Sequence, residues 1–143
     1  MINMDYSYRQ NQKKAEPCVM NVCRKAVQNT NYRTEIWTGC CAQMTLMCIP
    51  VCSDIGLEIH EDTDQLIRIE QGMALVKMGD CKDRLDFQKE VCEEDIIFVP
   101  AGTWHNVVNI GRMPLKVSSV YAPPHHPAGT VHHTREDAEK AHY

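Results

Sequence analysis

No apolar run in the 143-residue chain exceeds a few residues, so none reads as a membrane-spanning helix. The opening stretch, MINMDYSYRQNQKKAE, lacks the apolar centre of a secretion signal, which makes a cytoplasmic protein the expectation. Dense positive charge is missing too: 15 lysines and arginines face 19 acidic residues, for a net charge of -4. Nucleic-acid binding depends on clustered cations and is set aside on that ground. Also absent are a Ser-His-Asp order, a nucleophile elbow, a dinucleotide fingerprint and a glycine-rich phosphate loop. Paired CxxC knuckles are absent as well, because Cys18/Cys23 and Cys48/Cys52 are irregularly spaced. The eight cysteines fall below the ~8–10% that marks a disulfide scaffold. They are expected to be reduced and to serve as small buried apolar residues.

What remains is an ordinary composition for one globular domain, 43% hydrophobic and 24% charged. Residues 1–16 are polar and without apolar periodicity, so they are expected to form a flexible arm ahead of a single domain over 17–143. From Tyr32 onward, short apolar-rich runs alternate with turn residues: TEIWTG, AQMTLMCIPV, IGLEIH, QLIRIEQG, MALVKMG, RLDF, DIIFVPAG, HNVVNIG and LKVSSVYAPP. Strands of five to seven residues at this pace predict an antiparallel barrel or sandwich. Gly72, Gly79, Gly102 and Gly111 punctuate the runs. APPHHPAGTVHH reads as an irregular loop draped across the barrel, and Thr134 with Asp137 three residues later caps a short terminal helix.

Candidate ligands fall in two stretches. If Leu57–His60 is a strand, Glu58 and His60 point one way, and a turn through residues 61–64 brings Gln65 alongside with Ile67 and Ile69 inward. In PAGTWHNVVN, His105 shares a face with Val107. Were that face interior, two imidazoles, one carboxylate and one amide oxygen would meet, an N/O donor set suited to manganese, iron, zinc, cobalt or nickel. The plainer alternative is that His60 and His105 are satisfied core histidines. Asn109, Asn106 and Thr103 are candidates to support a ligating histidine.

These stretches resemble the two motifs of the small single-domain cupins. The family's first motif, G-x5-H-x-H-x3or4-E-x6-G, is met by Cys52, Glu58, His60, Gln65 and Gly72, with Cys52 in place of glycine, Glu58 in place of histidine and Gln65 in place of glutamate. The second, G-x5-P-x-G-x2-H-x3-N, is met by Pro100, Gly102, His105 and Asn109, with Glu94 in place of glycine. The resemblance spans about Thr38 to Pro124. It implies an all-β double-stranded β-helix, a jelly-roll barrel with the short C-terminal helix appended, and one divalent metal ion held by Glu58, His60, Gln65 and His105. It also implies a homodimer.

Other residues carry lesser expectations. The loop histidines read as solvated or packing groups, although a loop over the barrel mouth would bring His126 and Tyr121 close to a substrate. Trp104 is expected to face outward, and Arg68 with Glu70 to form an ion pair off the interior. The donor composition is similar to the zinc sphere of mannose-6-phosphate isomerases. That similarity implies an isomerase using the metal as a Lewis acid on a small polar substrate such as a sugar phosphate. The other classes are a non-haem metal dioxygenase and a non-catalytic barrel that binds a small ligand.

Overall fold

Alternating burial along the strands produces two sheets that face each other. In a computed structural model, which describes residues 15–141, β1 (Arg33–Thr38), β2 (Gln43–Ile49), β3 (Asp64–Gln71), β4 (Met73–Gly79), β5 (Phe87–Cys92), β6 (Ile96–Val99), β7 (Trp104–Asn109), β8 (Leu115–Ala122) and β9 (Val131–His132) are preceded by α1 (Val22–Gln28) and followed by α2 (Arg135–Lys140). Residues 1–14 of the expected arm lie outside the described residues. The six-stranded sheet runs β6-β3-β8-β2-β1-β9 and the three-stranded sheet β5-β4-β7, all antiparallel. This is the jelly-roll architecture read from the sequence. No described helix is long and apolar enough to cross a membrane.

Ile67, Ile69, Met47, Ile49, Leu115 and Val117 of the large sheet bury against Ala74, Val76, Val91 and Val107 of the small one. Removing a side chain of this size from water stabilises by roughly 1.5–3 kcal/mol, so this apolar end supplies much of the fold's stability. Polarity rises along the same inward face. Ile69, Val117 and Met47 lie level with one another, then Ile67, Ser119 and Thr45, then Gln65, Tyr121 and Gln43. All nine are buried, and the last three are positioned where the barrel can hold something other than hydrocarbon.

Outside the large sheet, Glu70 pairs with Arg68 at 3.5 Å and accepts from Ser118 Oγ at 2.9 Å, as the alternation predicts. Helix α1 packs over β8, β2 and β3 with Ala26 fully buried. The terminal helix carries the capping box read from the sequence, Thr134 accepting from the Asp137 amide.

Several expectations are corrected. IGLEIH is not a strand but an irregular segment with one bridge, Glu58 to His105. RLDF is the turn leading into β5, whose own residues FQKEVC are exposed at all but Val91. APPHHPAGTVHH contains the two-residue strand β9, paired to β1. Trp104 is half-buried. Seven of the eight cysteines are exposed and Cys48 is half-buried, all eight as free thiols, because most sit in turns and surface segments that alternation along strands does not govern.

Cys52 and Glu94, the two positions where the cupin motifs have glycine, adopt left-handed backbone with φ of 65° and 75°. The turns therefore keep the shape that glycine would allow while carrying side chains, at a cost of about 1–2 kcal/mol per residue. Cys52→Gly and Glu94→Gly are each expected to raise stability by about 0.5–1 kcal/mol after the added freedom of the unfolded chain is discounted. Urea denaturation of the two variants checks this, and a loss of stability in both would show the turns to be unstrained.

Candidate metal centre

Glu58 and His105 reach each other through backbone. The Glu58 amide donates to the His105 carbonyl at 3.0 Å, and the His105 amide donates back to the Glu58 carbonyl at 2.9 Å. This bridge lays the irregular segment along β7. A second tie, Gly102 N–H to the His60 carbonyl at 2.8 Å, sets the turn before β7 against His60. Gly102 has φ +78°, which the tight turn after Pro100 requires. Glu58 and His60 thus converge as expected, but by bridging to β7 and not by strand alternation.

The side chains of Glu58, His60 and His105 offer ligand atoms that all lie within 4.8 Å of one another. Glu58 Oε2 stands 3.8 Å from His60 Nε2 and Oε1 stands 3.9 Å from His105 Nε2, both too long for hydrogen bonds. Neither Nε2 atom has any hydrogen-bond partner, although both are buried. His105 Nδ1 lies 2.9 Å from the Thr103 carbonyl. A carbonyl only accepts, so Nδ1 carries the proton and Nε2 presents a lone pair towards Glu58. Buried polar atoms in native proteins are nearly always satisfied, and an ion among these three groups would satisfy both nitrogens together. The donor set fits a divalent metal.

Electrostatics point the same way. Burial lowers the His60 pKa to about 3, helped by the neighbouring charges of His125, His105 and Arg33 and opposed by Gln65. Burial also lowers that of His105, against its bond to Thr103. Both imidazoles are therefore neutral, the ligating form, at physiological pH. Glu58 retains 31% of its side-chain exposure but is closely walled by protein, and desolvation raises its carboxyl to about 7 against the pull of Arg33.

Gln65 stands at the start of β3, fully inward. Its Nε2 donates to Tyr121 Oη at 3.2 Å and to Ser119 Oγ at 3.5 Å, leaving Oε1 buried without a partner beside His60. Tyr121 is 1% exposed, with its ring 5.8 Å from that of His60 and 5.1 Å from that of His126. His126, in the loop that follows β8, is buried. Asn109 is spent elsewhere: its amide donates to the carbonyls of Ile49, Pro50 and Met113 and its oxygen accepts from Gly111, so it ties loops at the far end of β7. Asn106 donates to Asp54.

Three further residues belong to this region: Gln43 and Arg33, which the sequence did not single out, and His125, which it offered only as a solvated or packing loop histidine. His125 is exposed, with its ring 4.2 Å from that of His60 and stacked on Tyr121. Gln43, 1% exposed, holds the loop down: Oε1 accepts from the His125 and His126 amides at 3.2 and 2.9 Å, and Nε2 donates to the His126 carbonyl at 2.7 Å. Arg33, 6% exposed, lies on the inner face of β1 opposite Met47. The only signal for Gln43 was its place in register with the inward-facing Thr45 and Met47.

The cupin domain family matches residues 45–121, more than half the chain, and the protein belongs to that family. Among individual proteins, it is 55% identical over 126 residues to YrkC of Bacillus subtilis (strain 168), described as uncharacterised, across 88% of this chain and 68% of that protein. It is 40% identical over 115 residues to L612 of Acanthamoeba polyphaga mimivirus, likewise described as uncharacterised, across 79% of this chain and 69% of that one. The crystal structure of BH2720 from Bacillus halodurans superposes with a TM-score of 0.87 at 51% identity, covering 88% of this chain and 96% of that one.

A carboxyl whose proton affinity is raised to about 7 must lose its proton to ligate, whereas burial lowers the pKa of both His60 and His105 and so favours their neutral, ligating forms. Metal affinity is therefore expected to rise about tenfold per pH unit up to about pH 6.5 and to flatten above about pH 7.5. Calorimetric titration with manganese or zinc in weakly coordinating buffers checks this. A flat profile from pH 5.5 to 8 would remove Glu58 from the ligand set.

Proposed function

We propose that this cupin uses a divalent metal as a Lewis acid on a small polar molecule inside its barrel. The reaction class we assign is isomerisation of a sugar phosphate, in the manner of the mannose-6-phosphate isomerase-like cupins. The metal rests on one observation: two buried imidazole nitrogens without partners, facing the two oxygens of one carboxylate. Zinc, manganese or iron suits this donor set, with nickel and cobalt chemically admissible. When bound, such an ion polarises a carbonyl or hydroxyl oxygen of the substrate.

The chain's own residues do the rest. Glu58, His60 and His105 hold the ion, Gln65 Oε1 is the fourth donor in our reading, and the Thr103 carbonyl fixes the His105 tautomer. Tyr121 Oη, which accepts from Gln65, and the buried loop residue His126 stand on the substrate side in our reading. Proton movement between adjacent carbons needs a group of this kind within hydrogen-bond reach. Apolar surface at Phe98 and Leu57, 62% and 44% exposed, suits the homodimer that forms part of this reading, which light scattering checks.

The grouping of two histidines with one carboxylate supports a second reading, because non-haem iron oxygenases use the same donor trio. The two readings separate by metal. Elemental analysis of protein purified without an affinity tag is expected to give near-stoichiometric metal, absent from a His60→Ala/His105→Ala variant. Zinc or manganese followed by aldose–ketose interconversion supports the isomerase, and iron with substrate-dependent oxygen uptake supports the oxygenase. A wild-type protein that contains no metal and takes up none of the three overturns the metal reading.

A further inference from the structure

Arg33 is a cation with no anion. The residue is 6% exposed, and none of the ion pairs among the described residues includes it. Nη1 meets His132 Nδ1 at 3.2 Å and Nη2 points at Met47 Sδ at 3.9 Å, while Nε is buried with no hydrogen-bond partner. A buried charge costs several kcal/mol unless it is paired and hydrogen-bonded. A thioether, one ring nitrogen and the face of the Tyr32 ring, its centroid 5.7 Å from the guanidinium carbon, supply no opposite charge.

Its surroundings say what is missing. Tyr32, the preceding residue, donates from its hydroxyl to the Asp54 carbonyl, closing β1 against the segment that carries Glu58. Arg33 faces inward from β1 across from Met47, and along β2 the next inward residues from Met47 are Thr45 and then Gln43, all buried. Thr45 is fully buried one inward position along β2 from Met47, and its hydroxyl also lacks a partner. Gln65 Oε1 and the two imidazole nitrogens complete a set of buried polar atoms that no described residue satisfies. The carboxylate at hand, Glu58, is already placed between the two histidines.

We propose that Arg33 is the anchor for a negatively charged group of the molecule that occupies the barrel, so that the ligand class is a small oxyanion, a carboxylate or phosphate, seated between Arg33 and the Glu58/His60/His105 centre. Guanidinium presents its donors as a planar fork that matches two oxygens of either group, and it remains charged at any physiological pH. Thr45 Oγ1 offers one further donor. This inference deepens the proposed function by naming the charge its substrate must carry, and it rests on that reading for the second end of the ligand.

Calorimetry and thermal melting with oxalate, inorganic phosphate and neutral oxamide as probes test it, on wild type, Arg33→Met and Arg33→Lys, each manganese-loaded and metal-stripped. The metal content of each is measured separately. Oxalate or phosphate, but not oxamide, is expected to bind the loaded wild type and raise its melting temperature. Arg33→Met is expected to lose at least tenfold in that affinity with unchanged metal content, and to melt no lower than wild type in the absence of probe. Arg33→Lys keeps the charge without the fork, is expected to fall between the two, and serves should the Met variant fail to fold. Oxalate binding without phosphate binding assigns a carboxylate, and the reverse a phosphate. Undiminished affinity in both variants, or no binding of either anion by wild type, overturns the proposal and leaves the metal reading intact. Arg33-dependent binding to protein that takes up no metal supports the anchor and overturns the metal reading.

Discussion

Two hydrogen bonds exchanged between the backbones of Glu58 and His105 hold this molecule's chemistry together. Glu58 comes from a segment with no regular structure and His105 from the edge of the small sheet, and this pair is the last of a series of ties, including the Asp54–Val108 bridge and the Ile55 amide on the Val107 carbonyl, that lay the segment along β7. Backbone bonds in a buried setting are worth only about 1 kcal/mol each in net stability. Their larger effect is positional: the pair fixes where the Glu58 side chain begins, and so fixes the gap in which its oxygens face His60 and His105.

That gap is maintained at a cost. Close-packed interiors leave few buried polar atoms unpaired, yet among the described residues His60, His105, Gln65 and Thr45 each keep one, and so does Arg33, which stands across from Met47. The apolar end, from Ile69 and Val117 across to Val76 and Val107, offsets it. Stability and chemistry are thus separated along the strands, and the same alternation of inward side chains serves both. A hydrocarbon residue at Gln65 or Thr45 would extend the core by one more level and fill the site.

Much of this was legible in the sequence, for reasons that differ by residue. His105 and Gln65 follow from strand alternation, because β7 and β3 are regular and half their residues meet the core. Glu58 and His60 were found through spacing, although the strand assumed for them does not exist. β5 escaped notice because FQKEVC is almost wholly exposed and has no apolar alternation to display. Arg33 and Gln43 were illegible for the opposite reason, since a polar residue that points inward looks in sequence like one that points out. On β1 an irregularity in the pairing between Glu35 and Trp37 further breaks the alternation that would have placed Arg33. His125 depends on a loop whose path no periodicity encodes, set instead by the buried amide of Gln43.

The loop held by Gln43 has a consequence for how such barrels diversify. Glu58, His60, Gln65 and His105 all fall within the part of the chain that the cupin family shares, residues 45–121. Arg33, Gln43, His125 and His126 all fall outside it, on the two flanks: Arg33 and Gln43 are buried on β1 and β2, Gln43 holds the loop of His125 and His126, and the His125 ring lies 4.2 Å from that of His60. The shared part is a socket, and the flanks are its key-plate. Substitution at those four positions would alter what surrounds the reactive centre without touching any of its four candidate ligands, although β1 and β2, which carry Arg33 and Gln43, are also part of the large sheet.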